Sequence, residues 1–181
     1  MSGVLPGTVI EIPALRTGRL LLRAFHAGDW DGYTAMNADP EVRQFLGGRV
    51  LSREETWGLM EAALGQWGLR GYGFLAVEVD GQFAGRVGVL HPADWPEPEL
   101  AWGLARPFWG RGLATEAAAA VRDWAFARFG WPGLFSFIMA DNVRSRRVAE
   151  KLGAVRDGTV TLRGFVADRW VHPAPGRGVV V

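Results

Sequence analysis

The clearest chemistry in this chain lies in Trp109-Gly110-Arg111-Gly112-Leu113-Ala114-Thr115-Glu116-Ala117, where two glycines one residue apart run into an alanine-rich helix. Glycine lets a backbone turn tightly and approach a ligand with no Cβ in the way. The first N–H groups of the helix that follows have no intrahelical partner and lie at its positive dipole end. Loop and helix start together form a cradle suited to a pyrophosphate. Taken alone, the segment also reads as a tight structural turn. It is not a phosphate loop of the Lys-Ser/Thr kind, because neither residue follows the glycines. It does not complete a G-x-G-x-x-G dinucleotide fingerprint either, since no acidic ribose-binding residue sits at suitable spacing.

Other chemistries are excluded by what the chain lacks. It has no cysteine, which removes disulfides, thiolate metal sites and a cysteine nucleophile, and fits a reducing cytoplasm. His26, His91 and His172 are isolated and show no metal-ligand spacing, so no metal is expected. No G-x-S-x-G elbow is present. Nine tryptophans invite the idea of stacking on bases, but no basic stripe accompanies them, and core or pocket lining is the ordinary role. A formal net charge of +1 gives no bulk field toward nucleic acid or an anionic membrane, and Lys151 is the only lysine among many arginines. The opening MSGVLPGTVIEIPALRTGRL has no basic segment followed by an apolar core, so no signal peptide is expected, and no run is long enough to span a bilayer.

The elements that must position the loop are readable from periodicity and punctuation. With 181 residues, 49% hydrophobic and 22% charged, the chain fits one domain over 1–181, with 1–15 a loose lead-in and 173–181 a loose tail. Arg19 to Arg23 reads as a strand, and Asp29 to Asn37 as a helix. Ser52-Arg53-Glu54-Glu55 is a capping box that opens a helix to about Leu69. Phe74 to Val79 and Gln82 to Leu90 flank Asp80-Gly81, a two-residue hairpin signal. Glu99 to Leu104 is a strand. The helix after the glycine loop carries Ala117, Val121, Trp124 and Ala125 on one face and stops at Gly130 and Pro132. Leu134 to Met139 is a buried strand, Asn142 caps a short helix ended by Gly153, and Val160 to Leu162 with Arg169 to Val171 form a closing hairpin. This mixture of hairpins and crossovers predicts an α/β (α+β) sandwich over a mostly antiparallel sheet.

Three segments, read together, make a more specific pattern. Glu99-Leu-Ala-Trp-Gly-Leu precedes the loop, and Asp141-Asn142-Val-Arg-Ser145 through Lys151-Leu-Gly153 follows it. With Thr17-Gly-Arg19-Leu-Leu-Leu-Arg23 and Asp39-Pro-Glu-Val42, they resemble the GCN5-related (GNAT) N-acetyltransferases, in the branch that includes the ribosomal-protein N-terminal acetyltransferases. The likeness covers nearly the whole chain in the family's order.

The resemblance implies a three-layer α/β/α sandwich whose mixed sheet of six to seven strands is splayed at an acetyl-CoA site. It implies acetyl-CoA as donor and a primary amine as acceptor, either a protein or peptide N-terminus or a small molecule. By this analogy the backbone from Gly110 through Arg111, Gly112, Leu113 and Ala114 to Thr115 holds the pyrophosphate, and Arg111 either adds charge or is simply solvated. Trp109 stands at the loop's first position, either as a mark of this branch or as core filler. Trp102, Gly103 and Leu104 would bind the pantetheine arm like an added strand, and an N–H there would also polarise the thioester carbonyl. Asn142 would reach the same arm, or serve as helix cap, or do both through its two ends.

Glu99 is the implied base, directly or through water, against the reading of an ordinary strand-end carboxylate beside Glu97. The tyrosine that many members use to protonate the leaving thiolate has no counterpart, since Tyr33 and Tyr72 lie elsewhere. Ser145 matches a serine that serves in this branch, with a polar first-turn residue as its other reading. Trp57, Trp67 and Trp95 would shape the acceptor side. A non-catalytic acyl-CoA sensor is the competing function. A cytoplasmic enzyme is expected, with no nucleic-acid or membrane partner, and exposed aromatics with an open-ended sheet leave room for a homodimer.

Overall fold

Two short strands, β1 (Leu15–Arg16) and β2 (Leu21–Arg23), lead into helices α1 (Trp30–Ala38), α2 (Pro40–Arg43) and α3 (Arg53–Arg70). Strands β3 (Phe74–Val79), β4 (Gln82–Leu90) and β5 (Glu99–Leu104) follow, then helix α4 (Leu113–Phe129) and strand β6 (Leu134–Ile138). Helix α5 (Val143–Lys151) and the hairpin β7 (Val155–Leu162) and β8 (Phe165–His172) complete the order. The computed structural model describes residues 9–175.

Local chemistry accounts for the best-defined boundaries. Ser52 Oγ accepts from the Glu55 N–H at 3.1 Å while Glu55 Oε2 accepts from the Ser52 N–H at 2.8 Å, so the capping box that opens α3 is closed in both directions. Ser52→Ala removes one half of it. The expected loss is about 1 kcal/mol, read as a fall of roughly 2–4 °C in melting temperature. Asp80 and Gly81 both take positive φ, 50° and 75°, which the two-residue hairpin between β3 and β4 requires for its twist to match the strands. Asp39 Oδ1 accepts from the Glu41 N–H and Pro40 follows at the first helical position, which starts α2.

The strands form one eight-stranded sheet in the order β1-β2-β3-β4-β5-β6-β8-β7. That is one strand more than the six to seven expected. The addition is β1, whose Leu15 falls in the stretch read as lead-in and pairs with Leu22. The closing hairpin is also longer than its apolar residues suggested. Of the expected tail, 173–175 carries no regular structure and 176–181 lies outside the described residues, as does 1–8 of the lead-in.

Alternation along the strands divides the interior in two. Leu75, Val77, Val87, Val89 and Leu100 pack with Ala117, Val121 and Ala125 of α4. The opposite face carries Ala76 against Phe25, Tyr33, Met36 and Met60, beneath α1 and α3. The result is a three-layer α/β/α arrangement.

Every neighbouring pair in the sheet is antiparallel except β5 and β6. That parallel pair touches in register only at Glu99 and Phe135, after which the strands part. This divergence, with α4 as its crossover, opens the sheet where the glycine loop arrives. Among the described residues, no helix is long and apolar enough to cross a membrane.

Candidate active site

Two side chains bridge the notch where β5 and β6 separate. Ser136 Oγ donates to the Leu100 carbonyl at 2.5 Å, satisfying a β5 group that has lost its strand partner. Its hydrogen is thereby used, so the 2.8 Å contact with His172 has Nε2–H donating to Ser136 Oγ. His172 is buried, and burial, followed by the charge of Arg122, lowers its pKa to about 3. It is therefore neutral, and its ring packs edge-on to Trp102 at a centroid separation of 6.3 Å.

Glu99 bridges the notch from the other strand. Its Oε1 accepts from the Phe137 N–H at 3.3 Å, and its Oε2 accepts from Trp95 Nε1 at 2.7 Å. Burial pushes its pKa up to about 7, against the opposing pull of the Trp95 and Phe137 hydrogen bonds and the charge of Arg86. Glu97, two residues earlier, is held by Arg169 through two 2.7 Å hydrogen bonds. The two carboxylates of this approach therefore differ. One is neutralised by a cation, and the other is poised to gain and lose a proton near neutrality.

Trp102, Gly103 and Leu104 continue past the notch and line a cleft of about 400 Å³. Trp109, Gly110, Gly112, Leu113, Ala114 and Thr115 line it from the loop and the start of α4. Gly110 and Gly112 sit at φ 74° and 75°, where an L side chain would be strained. Gly112 is the N-cap of α4, and no side chain caps that helix, so its first N–H groups are left for a ligand. Arg19 braces the loop from outside, with Nη1 donating to the Arg111 carbonyl at 2.8 Å and Nε to Glu116 Oε2 at 2.7 Å. A cradle with open N–H groups and no Cβ in its path fits a pyrophosphate.

Arg111 is not among the residues lining the cleft; its guanidinium lies over Phe108 instead. The cations that do line it are Arg144, Arg147 and Lys151, spaced three and four residues apart on one face of α5. Sequence reasoning passed over them, although that spacing is visible in the chain. Trp109 is both structural and exposed to the cleft: Nε1 donates to the Leu104 carbonyl at 2.7 Å, and Arg144 stacks over its ring at 4.0 Å. Asn142 caps α5 by accepting from the Ser145 N–H through Oδ1 at 3.2 Å, which leaves its amide nitrogen free for another partner.

A second, larger cavity of about 890 Å³ lies on the far side of Trp102. Glu99, Trp95, Arg43 and Arg86 line it, with the Phe45–Arg49 stretch after α2 as part of its wall. Phe45, Leu46, Trp102, Asn142 and Ser145 line both cavities, so the two meet where the strands diverge. Of the three tryptophans expected on the acceptor side, only Trp95 lines this space. Trp67 is buried and donates to the Phe74 carbonyl, and Trp57 lies on the outer surface of α3 with Glu61. Long apolar rings on a helix carry no mark of which face they take, and both turned away. Among the described residues, no cluster of three or more His, Cys, Asp or Glu forms a metal site.

The arrangement matches known proteins along most of its length. The acetyltransferase (GNAT) domain family matches residues 19–155. An acetyltransferase from Agrobacterium tumefaciens superposes with a TM-score of 0.82 and 32% identity, covering 94% of this chain and 99% of that one. The uncharacterised N-acetyltransferase YnaD of Bacillus subtilis is 23% identical over 145 residues, 80% of this chain and 84% of its own. The fold also matches RimL, a ribosomal L7/L12 α-N-protein acetyltransferase solved with coenzyme A, with a TM-score of 0.76 and 17% identity, covering 91% of this chain and all of that one.

Proposed function

Because the chain belongs to the GNAT acetyltransferase family, we propose that it moves the acetyl group of acetyl-CoA directly to a primary amine, with Glu99 as the base. The observation that carries this reading is the meeting of a phosphate-suited cleft and a cavity holding a buried, near-neutral carboxyl group at one notch in the sheet.

Acetyl-CoA supplies the acyl group already activated as a thioester. The N–H groups from Gly110 to Thr115 hold its pyrophosphate, with Arg144, Arg147 and Lys151 adding charge nearby; Arg111 contributes through its backbone. Trp102, Gly103 and Leu104 offer strand-edge hydrogen bonds to the pantetheine arm, and the free amide of Asn142 is a further donor to it. An ammonium has no lone pair, so Glu99 must first accept its proton. The carbon–nitrogen bond then forms as the carbon–sulfur bond breaks; the nitrogen gives up its second proton and the departing thiolate takes one, so that a neutral amide and the coenzyme A thiol are released. Ser145, which lines both cavities, would lie beside the departing sulfur and could pass a proton to it. Holding amine and thioester together where the two cavities meet supplies much of the rate through positioning.

Thiol release with a panel of amines, and mass spectrometry of the products, tests the reading. Acetyl-CoA-dependent release with a product heavier by one acetyl group is the expected result. Tight acetyl-CoA binding with no release on any amine would favour a sensor, and no binding at all would remove the cofactor assignment.

A further inference from the structure

The four arginines lining the larger cavity fall into two kinds. Arg49 is paired with Glu55 at 2.6 Å and Arg163 with Asp94 at 2.7 Å, so their charges are compensated at the rim. Arg43 and Arg86 have no carboxylate within 4 Å among the described residues. Elsewhere in the chain Arg19, Arg23, Arg106, Arg156 and Arg169 are each paired with an acid, most of them nearer the surface. Arg43 is buried and Arg86 half-buried, and a guanidinium so placed is ordinarily compensated.

Their structural duties leave donors unused. Arg43 gives Nε to the Arg49 carbonyl at 2.8 Å and Nη1 to Asn37 Oδ1 at 3.3 Å, which leaves Nη2 free of hydrogen bonds. Arg86 gives Nη1 to Tyr33 Oη at 2.9 Å and lies 4.4 Å over the Phe74 ring, with Nε and Nη2 unused. None of these unused nitrogens is a buried orphan, and both residues line the cavity. Burial and then the charge of Arg86 pull the Arg43 guanidinium below the usual arginine range. Two cations near enough to oppose each other are costly without a shared anion. Glu99 is the carboxyl that feels the charge of Arg86, and it holds its proton up to about pH 7, while the carboxylate that acts on Arg43 is Glu55, already paired with Arg49.

Register places Arg86 and Glu99 on one face of the sheet. Arg86 pairs with Gly103 and Leu90 with Glu99, so Ala101, on the same face and lining the same cavity, forms the floor between them. An acceptor spanning this floor meets the base at one end and the guanidiniums at the other.

We propose that the acceptor carries an oxyanion, carboxylate or phosphate, besides its amine, and that Arg43 and Arg86 bind it. The planar guanidinium fork matches either oxyanion. This rests on the acetyl-transfer reading for the amine, but the anion site stands on its own geometry. The same charges disfavour polyamines, whose ammonium groups they repel.

The test is calorimetry on the full chain with matched probes: amino acids against their amides, and phosphoethanolamine against ethanolamine. At least one oxyanion-bearing probe is expected to bind about tenfold or more tightly than its neutral partner. Arg86→Met and Arg43→Met are expected to abolish that preference, while Arg163→Met keeps it. Melting temperatures verify folding, and Arg43→Lys, which keeps the charge, retains part of the preference if Arg43→Met unfolds. Equal binding within every pair, tighter binding of spermidine, or a preference that survives both methionine variants overturns the proposal. Acetyl-CoA is titrated separately. Loss of its binding with the oxyanion preference intact would sink the transfer reading and leave the anion site standing.

Discussion

Glu99→Gln is expected to lower turnover by about 10²- to 10⁴-fold while acetyl-CoA binds as before. The carboxyl faces the larger cavity rather than the cleft of the glycine loop, so the change removes a proton acceptor and no cofactor contact. In the wild type kcat/KM should rise with pH through about 7, because only the ionised carboxylate can take the ammonium proton and burial delays ionisation to about that pH. In the variant this limb disappears.

Stability should move the opposite way. The folded-state pKa of about 7 lies above the ordinary 4.5. Below the ordinary value both folded and unfolded chains hold the proton, and burial of the neutral acid carries no ionisation penalty. Between the two values the unfolded chain releases its proton while the folded one keeps it, so stability falls as pH rises, until the full loss is reached above 7. Glutamine mimics the neutral acid and escapes this loss. The stability of the variant relative to wild type should therefore rise by roughly 3 kcal/mol between pH 4.5 and pH 8.5, on top of a fixed cost because the amide nitrogen cannot accept from Trp95 or Phe137. A wild-type rate across the pH range, or a stability difference from wild type that stays constant between pH 4.5 and 8.5, would remove Glu99 as a buried base.

How far the sequence reached depended on the range of the interaction. Features set by a few neighbouring atoms were legible: the Ser52–Glu55 box, the Asp80-Gly81 turn, the Gly130 stop and the Asn142 cap all match the observed boundaries. Features set by distant pairing were not. β1 exists because Leu15 meets Leu22 across a turn, and a two-residue strand has no periodicity of its own. The register of β7 shifts between Arg156 and Gly158, and its pattern is too polar to read as buried. The approach to the base followed the same rule. Glu97 and Glu99 are alike in sequence, and only the fold brings Arg169 to the first and a dry notch to the second. Arg43 and Arg86 are 43 residues apart and share one cavity solely through tertiary packing.

Gly112→Val should weaken acetyl-CoA binding by about a hundredfold, the equivalent of losing one or two charge-assisted hydrogen bonds. Gly112 holds φ 75° and ψ 3°, a left-handed conformation that a β-branched residue adopts only under strain. Relief of that strain rotates the peptides flanking the N-cap, and these carry the N–H groups aimed at the cleft. The loop cannot simply shift as a unit, because Arg19 grips the Arg111 carbonyl on one side and Glu116 on the other. Its Nη2 would already lie 3.6 Å from a Cβ at position 112. Strain alone also lowers stability, so a matched control is needed. Gly130 caps the other end of the same helix at φ 60° with nothing within 4 Å of a Cβ. It stands roughly 25 Å from Gly112 by helical rise. Gly130→Val should lose comparable stability and keep acetyl-CoA affinity. Equal affinity loss in both variants would mean that strain, not the cradle, controls binding. Unchanged affinity in Gly112→Val with an intact fold would take the pyrophosphate away from this loop, whereas a loss confined to position 112 ties it to the N–H groups that the glycine leaves uncovered.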